Sequence, residues 1–345
     1  MEDFLKEGID KGAFPGVVLV AGSLEKDYIS LALGHAEIEP EKREMTEEII
    51  FDLASLTKVM VTTPLILFLL EQGELRLDDP ASYFREEFQH KEVTIRHLLT
   101  HTSGLPAHKL FTNISNPLEN LWKLELENEP GNVVNYSCMG FILLGKIIEK
   151  IMGKTLAESA QEIIFAPLGM AKTGFNPEKG PFAATELGNE FEQKKGAQPR
   201  EGIMRGVVHD GNAYSLGGIA GNAGLFGPAG DIARFARMFL AQGEGILAPS
   251  TVEMMFTLQT PPYQERRSLG WCLPGPFSSG GDLLSPKAIG HTGFTGTSLW
   301  IDWEKKKFVV LLTNRVHPRV SSTEHIRMRP LIHNRGLAEM EKQGD

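Results

Sequence analysis

The sequence predicts an α+β fold: an antiparallel sheet flanked by N- and C-terminal helices, with a mainly helical domain inserted between its strands. Three observations lead there. Strand signals cluster at both ends of the chain, the middle reads as helices, and the longest apolar run, residues 59–70, is too short and too broken by Thr62, Thr63 and Pro64 to cross a bilayer. That run therefore belongs in a protein core.

Taken in order, residues 2–12 carry Phe4, Leu5 and Ile9 at helical spacing before a turn at Pro15-Gly16. VVLVAG (17–22) and YISLALG (28–34), joined by a polar turn, form a hairpin. A charged link leads to FDLASLTK (51–58), and an apolar helix runs from about Ser55 to Gln72; being apolar nearly all round, it should be buried. Helices follow at 93–99, capped by Thr94, and at 118–126, 139–152, 156–164 and 231–240, interrupted by the glycine-rich segment 217–230. Strands return at 268–273, 297–303 and 308–314, and a polar helical tail begins at Ser322. This order predicts a sheet domain of residues 1–54 plus 241–345 and a helical domain of residues 55–240, with the active site in the cleft between.

At 345 residues, 41% hydrophobic and 23% charged, the chain has the composition of an ordinary globular protein. Its net charge of -9, with both signs mixed along the sequence, argues against a nucleic-acid partner or an anionic membrane surface. A small-molecule or short-peptide substrate fits better. The two cysteines, Cys138 and Cys272, read as small buried fillers, with a single bridge between them left open. The N-terminus lacks a basic start, apolar core and cleavage site, which predicts a cytoplasmic protein, although a chain trimmed of its signal would read alike. Oligomeric state is not legible.

Chemistry concentrates in FDLASLTK, where Ser55 and Lys58 stand one helical turn apart on one face. A serine hydroxyl needs a neighbouring base, a partly desolvated lysine can be one, and a helix N-terminus favours developing negative charge. There is no dinucleotide fingerprint and no Gly-x-Ser-x-Gly elbow; Gly153-Lys154-Thr155 looks like the end of a phosphate loop, but Ile148 stands where its first glycine should be. His97 and His101, spaced i, i+4, lack the carboxylate of a zinc motif, so neither a metal nor a cofactor is expected.

Five segments in order, FDLASLTK, TIRHLLTHTSGLP (94–106), VNYSCMGFILLGKIIE (134–149), GGIAGNAGLFGPAGDIARFARM (217–238) and IGHTGFTGTSLWID (289–302), resemble the serine hydrolases of the class C β-lactamase type, which include DD-peptidases and esterases. The resemblance implies a β-lactamase/transpeptidase-like fold and an acyl-enzyme mechanism without a cofactor. It makes Ser55 the nucleophile, with Lys58 and Tyr136 relaying its proton. In the second motif, Tyr-x-Asn, Cys138 replaces the asparagine that typically holds the substrate amide; a thiol is a weak donor and acceptor, so β-lactam and D-alanyl recognition is weakened while catalysis is untouched. The third motif, Lys-Thr-Gly in β-lactamases, is His291-Thr292-Gly293, where a histidine can donate a hydrogen bond or, when protonated, carry the lysine's charge. The backbone N–H groups of Ser55 and Phe294 are expected to form the oxyanion hole, with Cys138, Thr292 and Gly293 contacting substrate.

The function expected is therefore a serine hydrolase acting on an ester or amide carbonyl, an esterase by preference. The alternatives are a D-amino-acid peptidase, a penicillin-binding DD-peptidase or a β-lactamase and, from another class, an inactive binding protein on the same fold. His209 and Asp210 are candidates to line the cleft, and loops at 107–132, 176–212 and 274–288 are candidates to set specificity.

Overall fold

A computed structural model describes residues 1–111, 115–260, 265–276, 278–320 and 323–344. Helix α1 (Glu2–Asp10) buries Leu5 and Gly8 and precedes the hairpin of β1 (Gly16–Gly22) and β2 (Asp27–Glu37), with the short β3 (Arg43–Glu44) on its outer edge. Next come β4 (Phe51–Asp52), a wide π-helical turn (Lys58–Thr62) and α2 (Thr63–Glu71). The helical middle includes α3 (Cys138–Met152); β5 (Gly174–Phe175), β6 (Leu225–Gly227) and α4 (Ala229–Leu240) follow. The chain closes with β7 (Ala288–Thr292), β8 (Ser298–Asp302), β9 (Lys307–Thr313) and α5 (Glu324–Gln343). The predicted start of the tail at Ser322 lies outside the described residues.

Six strands form one antiparallel sheet in the order β3-β2-β1-β9-β8-β7, so its two halves come from opposite ends of the chain and meet where Val17 pairs with Thr313. A smaller sheet joins β4, β6 and β5. β1 is apolar without alternation because both of its faces are covered. Val17, Leu19 and Ala21 pack with α1 and α5, whereas Val18 and Val20 enter the larger core with α4. The α+β class and the antiparallel sheet between terminal helices are as predicted.

Two elements differ. Residues 268–273 form isolated bridges, Arg267 to Cys272 and Cys272 to Gly290, rather than a strand, because Gly270 at φ 76° turns the chain against Thr63. The helix predicted over 118–126 stops at Trp122, and Leu124 is buried by a loop that returns to Gly104 through the Glu127 N–H. Thr94 caps its helix as expected, accepting from the His97 N–H at 3.2 Å. That helix ends at Leu99 and His101 has φ 59°, so His97 and His101 do not share a helix face. No helix among the described residues is long and apolar enough to cross a membrane.

Candidate active site

The turn that presents Ser55 is held from three sides. Ala54 adopts φ 46°, a left-handed conformation unusual for a residue with a Cβ, and its N–H donates to Asp52 Oδ1 at 2.8 Å. Asp52 is fully buried and takes the His209 N–H on its other oxygen at 2.7 Å; burial pushes its carboxyl above the ordinary value, and the two N–H groups pull back. Thr57 Oγ1 donates to Ala54 O at 2.7 Å, and the helix opens at Leu56. Ser55 therefore stands just before the first turn, half-buried, with Lys58 one turn on.

Lys58 is completely buried. Its ammonium donates to Ser55 Oγ at 3.0 Å, to Asn222 O at 2.9 Å and to Cys138 Sγ at 3.6 Å. Tyr136 hydrogen-bonds it as well, so each of its three hydrogens finds an acceptor, the pattern of a charged amine. Asn222 reaches it because the glycine-rich segment passes close to α3: at Gly221 a Cβ would stand 2.1 Å from Phe141 O, and Thr62 Oγ1 ties Gly221 O at 2.7 Å. Burial alone would push Lys58 down, but Cys138, then Tyr136, which also hydrogen-bonds the amine, and Asp210 outweigh it and hold the amine above its ordinary value. For Cys138 the balance is reversed. Burial raises the thiol, yet Lys58 and His108 outweigh it and bring the thiol below its usual range.

Tyr136, just upstream of α3, faces two cations: Lys58 Nζ lies 5.1 Å and the Arg267 guanidinium 5.2 Å from its ring centroid. Burial still raises the phenol above its ordinary value, against the pull of Lys58. Behind it stacks His101, at 4.5 Å between ring centroids, whose Nδ1 accepts the Ser137 N–H at 2.9 Å, and His291 lies at 5.8 Å. His291 Nδ1 donates to Thr292 O at 2.9 Å, leaving Nε2 as an acceptor, buried and without a hydrogen-bond partner among the described residues. Burial, then the charges of Arg267 and Lys58, hold His291 well below the usual histidine value. It is neutral near pH 7, so the positive charge of the family lysine is not carried at this position.

The turn after β7 is stapled to the turn that carries Ser55. Thr295 Oγ1 donates to Asp52 O at 2.7 Å and Thr297 Oγ1 to Leu53 O at 3.1 Å, and at Gly293 a Cβ would come within 2.6 Å of Leu53 O. Only glycine fits there. Ser55 and Phe294 thus line one cavity of about 220 Å³ with Tyr136, Cys138, Phe191, Asp210 and His209, and neither the Ser55 nor the Phe294 N–H has a partner among the described residues. Thr292 and Gly293 support this wall without lining it. The mouth is aromatic, Phe191 and Phe294 having ring centroids 4.9 Å apart, with Lys195 over one ring and Arg315 over the other. Among the described residues no group of histidine, cysteine and carboxylate side chains could hold a metal.

Ser55, Tyr136, Cys138 and Phe294 are thus brought to one cavity, with Lys58 buried beneath Ser55 and His291 behind Tyr136, and both His209 and Asp210 reach its wall. Sequence reasoning missed Asn222, His101, His108 and Arg267. The first two lie inside segments that carry the family resemblance and His108 lies in the candidate specificity loop 107–132, whereas nothing marks Arg267 before folding.

The family profile described as Beta-lactamase matches residues 1–331. A protein of Escherichia coli (strain K12), provisionally named a D-alanyl-D-alanine carboxypeptidase, is 32% identical over 94% of this chain and 83% of its own length. The N-acetylmuramyl-L-alanine amidase of Bacillus subtilis (strain 168) is 31% identical over 90% of this chain and 79% of its own. Among solved structures, the octameric penicillin-binding protein homologue from Pyrococcus abyssi superposes with a TM-score of 0.75 at 25% identity, covering 97% of this chain and 76% of that one. EstCE1, a hydrolase with promiscuous acyltransferase activity, gives 0.77 at 22% identity over 97% of both chains, a likeness of fold.

Proposed function

The chain belongs to the beta-lactamase family of serine hydrolases, and from that premise we propose that it cleaves small esters through an acyl-enzyme on Ser55. The observation that carries this reading is the 3.0 Å hydrogen bond from a fully buried Lys58 to Ser55 Oγ at the wall of an open cavity. Ser55 Oγ attacks the carbonyl carbon while the N–H groups of Ser55 and Phe294, unspent among the described residues, receive the developing oxyanion. Lys58 and Tyr136 handle the protons. Water then attacks the acyl-enzyme and regenerates the serine.

An ester is preferred to a D-peptide for two reasons: Cys138 stands where the family carboxamide would grip an amide, and a neutral His291 offers no charge to a terminal carboxylate. The names of the relatives support the second reading, a D-alanyl-D-alanine carboxypeptidase, for which Lys195 and Arg315 at the mouth would be the available cations. A small-molecule or short-peptide substrate and a cytoplasmic setting belong to the same proposal; the two unpaired cysteines suit a reducing compartment, and cell fractionation checks it.

A fluorophosphonate probe should label the native protein at Ser55, and Ser55→Ala should remove both labelling and turnover, lowering kcat/KM by about 10³-fold or more. Labelling that survives the substitution would overturn the assignment. Matched ester, D-peptide and β-lactam substrates then choose between the two readings.

A further inference from the structure

We propose that Cys138 is the base that receives the Ser55 proton, with Lys58 as the relay between them. This deepens the hydrolase reading and rests on it. The geometry is direct: one ammonium donates to Ser55 Oγ at 3.0 Å and to Cys138 Sγ at 3.6 Å, and its other partners are a backbone carbonyl, Asn222 O, that cannot accept a proton at neutral pH, and Tyr136, which burial keeps a phenol. A charged amine with no lone pair is no base by itself, so the proton it accepts must be matched by one it gives up. Cys138 Sγ is within its reach and suited to receive that proton. The thiol is the first residue of a 15-residue helix, whose N-terminal N–H groups favour a thiolate, and it opens onto the same cavity as Ser55.

The charged and titratable groups around the thiol are Lys58 on the nucleophile helix, Tyr136 two residues upstream, His108 on the loop after Gly104 and Asp210 ahead of the helix at 211–215. Lys58 and His108 favour the thiolate, and Asp210 opposes it. Tyr136, by contrast, is kept a neutral phenol by burial. Two titratable groups pushed apart by their surroundings divide the roles of base and acid.

In acylation, Ser55 Oγ bonds to the carbonyl carbon as its proton passes to Lys58, and Lys58 passes one of its own to Cys138. The carbon–oxygen bond to the leaving alcohol breaks, and Tyr136 protonates the departing oxygen. Deacylation runs these transfers backwards: Tyr136 phenolate takes the proton of the attacking water, and Cys138 returns its proton through Lys58 to Ser55 Oγ as the acyl group leaves as a carboxylic acid. Every group ends as it began, and no oxidant or cofactor enters. The cysteine that replaces the family asparagine is then part of the proton machinery rather than only a weakened substrate contact.

The test uses p-nitrophenyl butyrate, whose leaving group needs no acid, and follows kcat/KM against pH for the native protein, Cys138→Ala and Cys138→Asn. In parallel, the rate of iodoacetamide alkylation at Cys138 is followed against pH by intact mass, with Cys272→Ala removing the other thiol. The expected result is an acid limb of kcat/KM that coincides with the titration of the alkylation rate. Cys138→Ala should lose about 10²-fold or more in kcat/KM, and Cys138→Asn should move the limb upward, towards the phenol. A Cys138→Ala protein whose acid limb stays in place overturns the proposal, whether its rate falls or not. If that variant does not fold, a mismatch between the limb and the alkylation titration in the native protein overturns it equally. Absence of any Ser55-dependent turnover would instead bring down the hydrolase reading beneath it.

Discussion

Every hydrogen of Lys58 finds a partner, and most of those partners lie far away in the chain: Cys138 is 80 residues distant and Asn222 is 164, and Tyr136 stands two residues before Cys138. The pairing with Ser55, three residues away, could be foreseen because one helical turn suffices to bring them together. His291 shows the opposite case. As a residue type it could carry the charge of the family lysine, yet burial and the neighbouring cations Arg267 and Lys58 keep it neutral. Arg267 is itself buried; it spends Nη2 on Glu265 at 2.7 Å, and its Nε and Nη1 have no hydrogen-bond partner among the described residues. Arg267→Met should therefore let His291 titrate at higher pH, nearer the ordinary histidine range. Ring-proton NMR against pH checks this, and an unmoved His291 would remove Arg267 from the account.

The glycine-rich segment was legible as a breaker of helical pattern, but its purpose was not. Gly221 lies so close to α3 that a Cβ would stand 2.1 Å from Phe141 O and 3.0 Å from the Gly145 nitrogen, and this approach carries Asn222 O to Lys58. Both contacts are with backbone, which cannot step aside cheaply. Gly221→Ala should cost about 1–3 kcal/mol of stability, read by urea unfolding, and should lower kcat in the same variant as Lys58 loses its anchor. Gly230→Ala, where nothing lies within 4 Å of the added carbon, is the control and should leave both unchanged. The predicted strand at 268–273 failed for a related reason. Apolar periodicity reports burial, and a glycine turn inside the run lets Trp271 be buried without a strand.

The sheet closes the molecule by pairing β1 with β9 and is roofed by α1 and α5 on one face and α4 on the other. Along α5 it covers His325, Arg329 and His333, all buried, with burial and the guanidinium holding His333 down at about 3 and His325 well below its ordinary value of 6.5. Because the unfolded chain binds these protons far more readily, the stability they contribute is fully present above about pH 6.5 and is lost as pH falls toward the folded values. Each such histidine should remove about 1.4 kcal/mol per pH unit below that point. Thermal unfolding at pH 7, 6, 5 and 4 should show a steep fall, flattened in His333→Gln. An equal slope in the variant would remove His333 from the account.

What is local or periodic could be read from the order of residues: the sheet-forming runs at the chain ends, the buried helix after Ser55, the Thr94 cap, and a serine and a lysine spaced for contact. These depend on neighbours within a turn or on alternation along a strand, so they survive translation from a string. Only the tertiary structure decided the charges. That Lys58 is an ammonium, Cys138 its candidate counter-ion, Tyr136 a neutral phenol and His291 uncharged follows from burial and from partners met across the fold, because a proton's affinity depends on the distance to other charges and the loss of water around it, and neither is written in the order of residues.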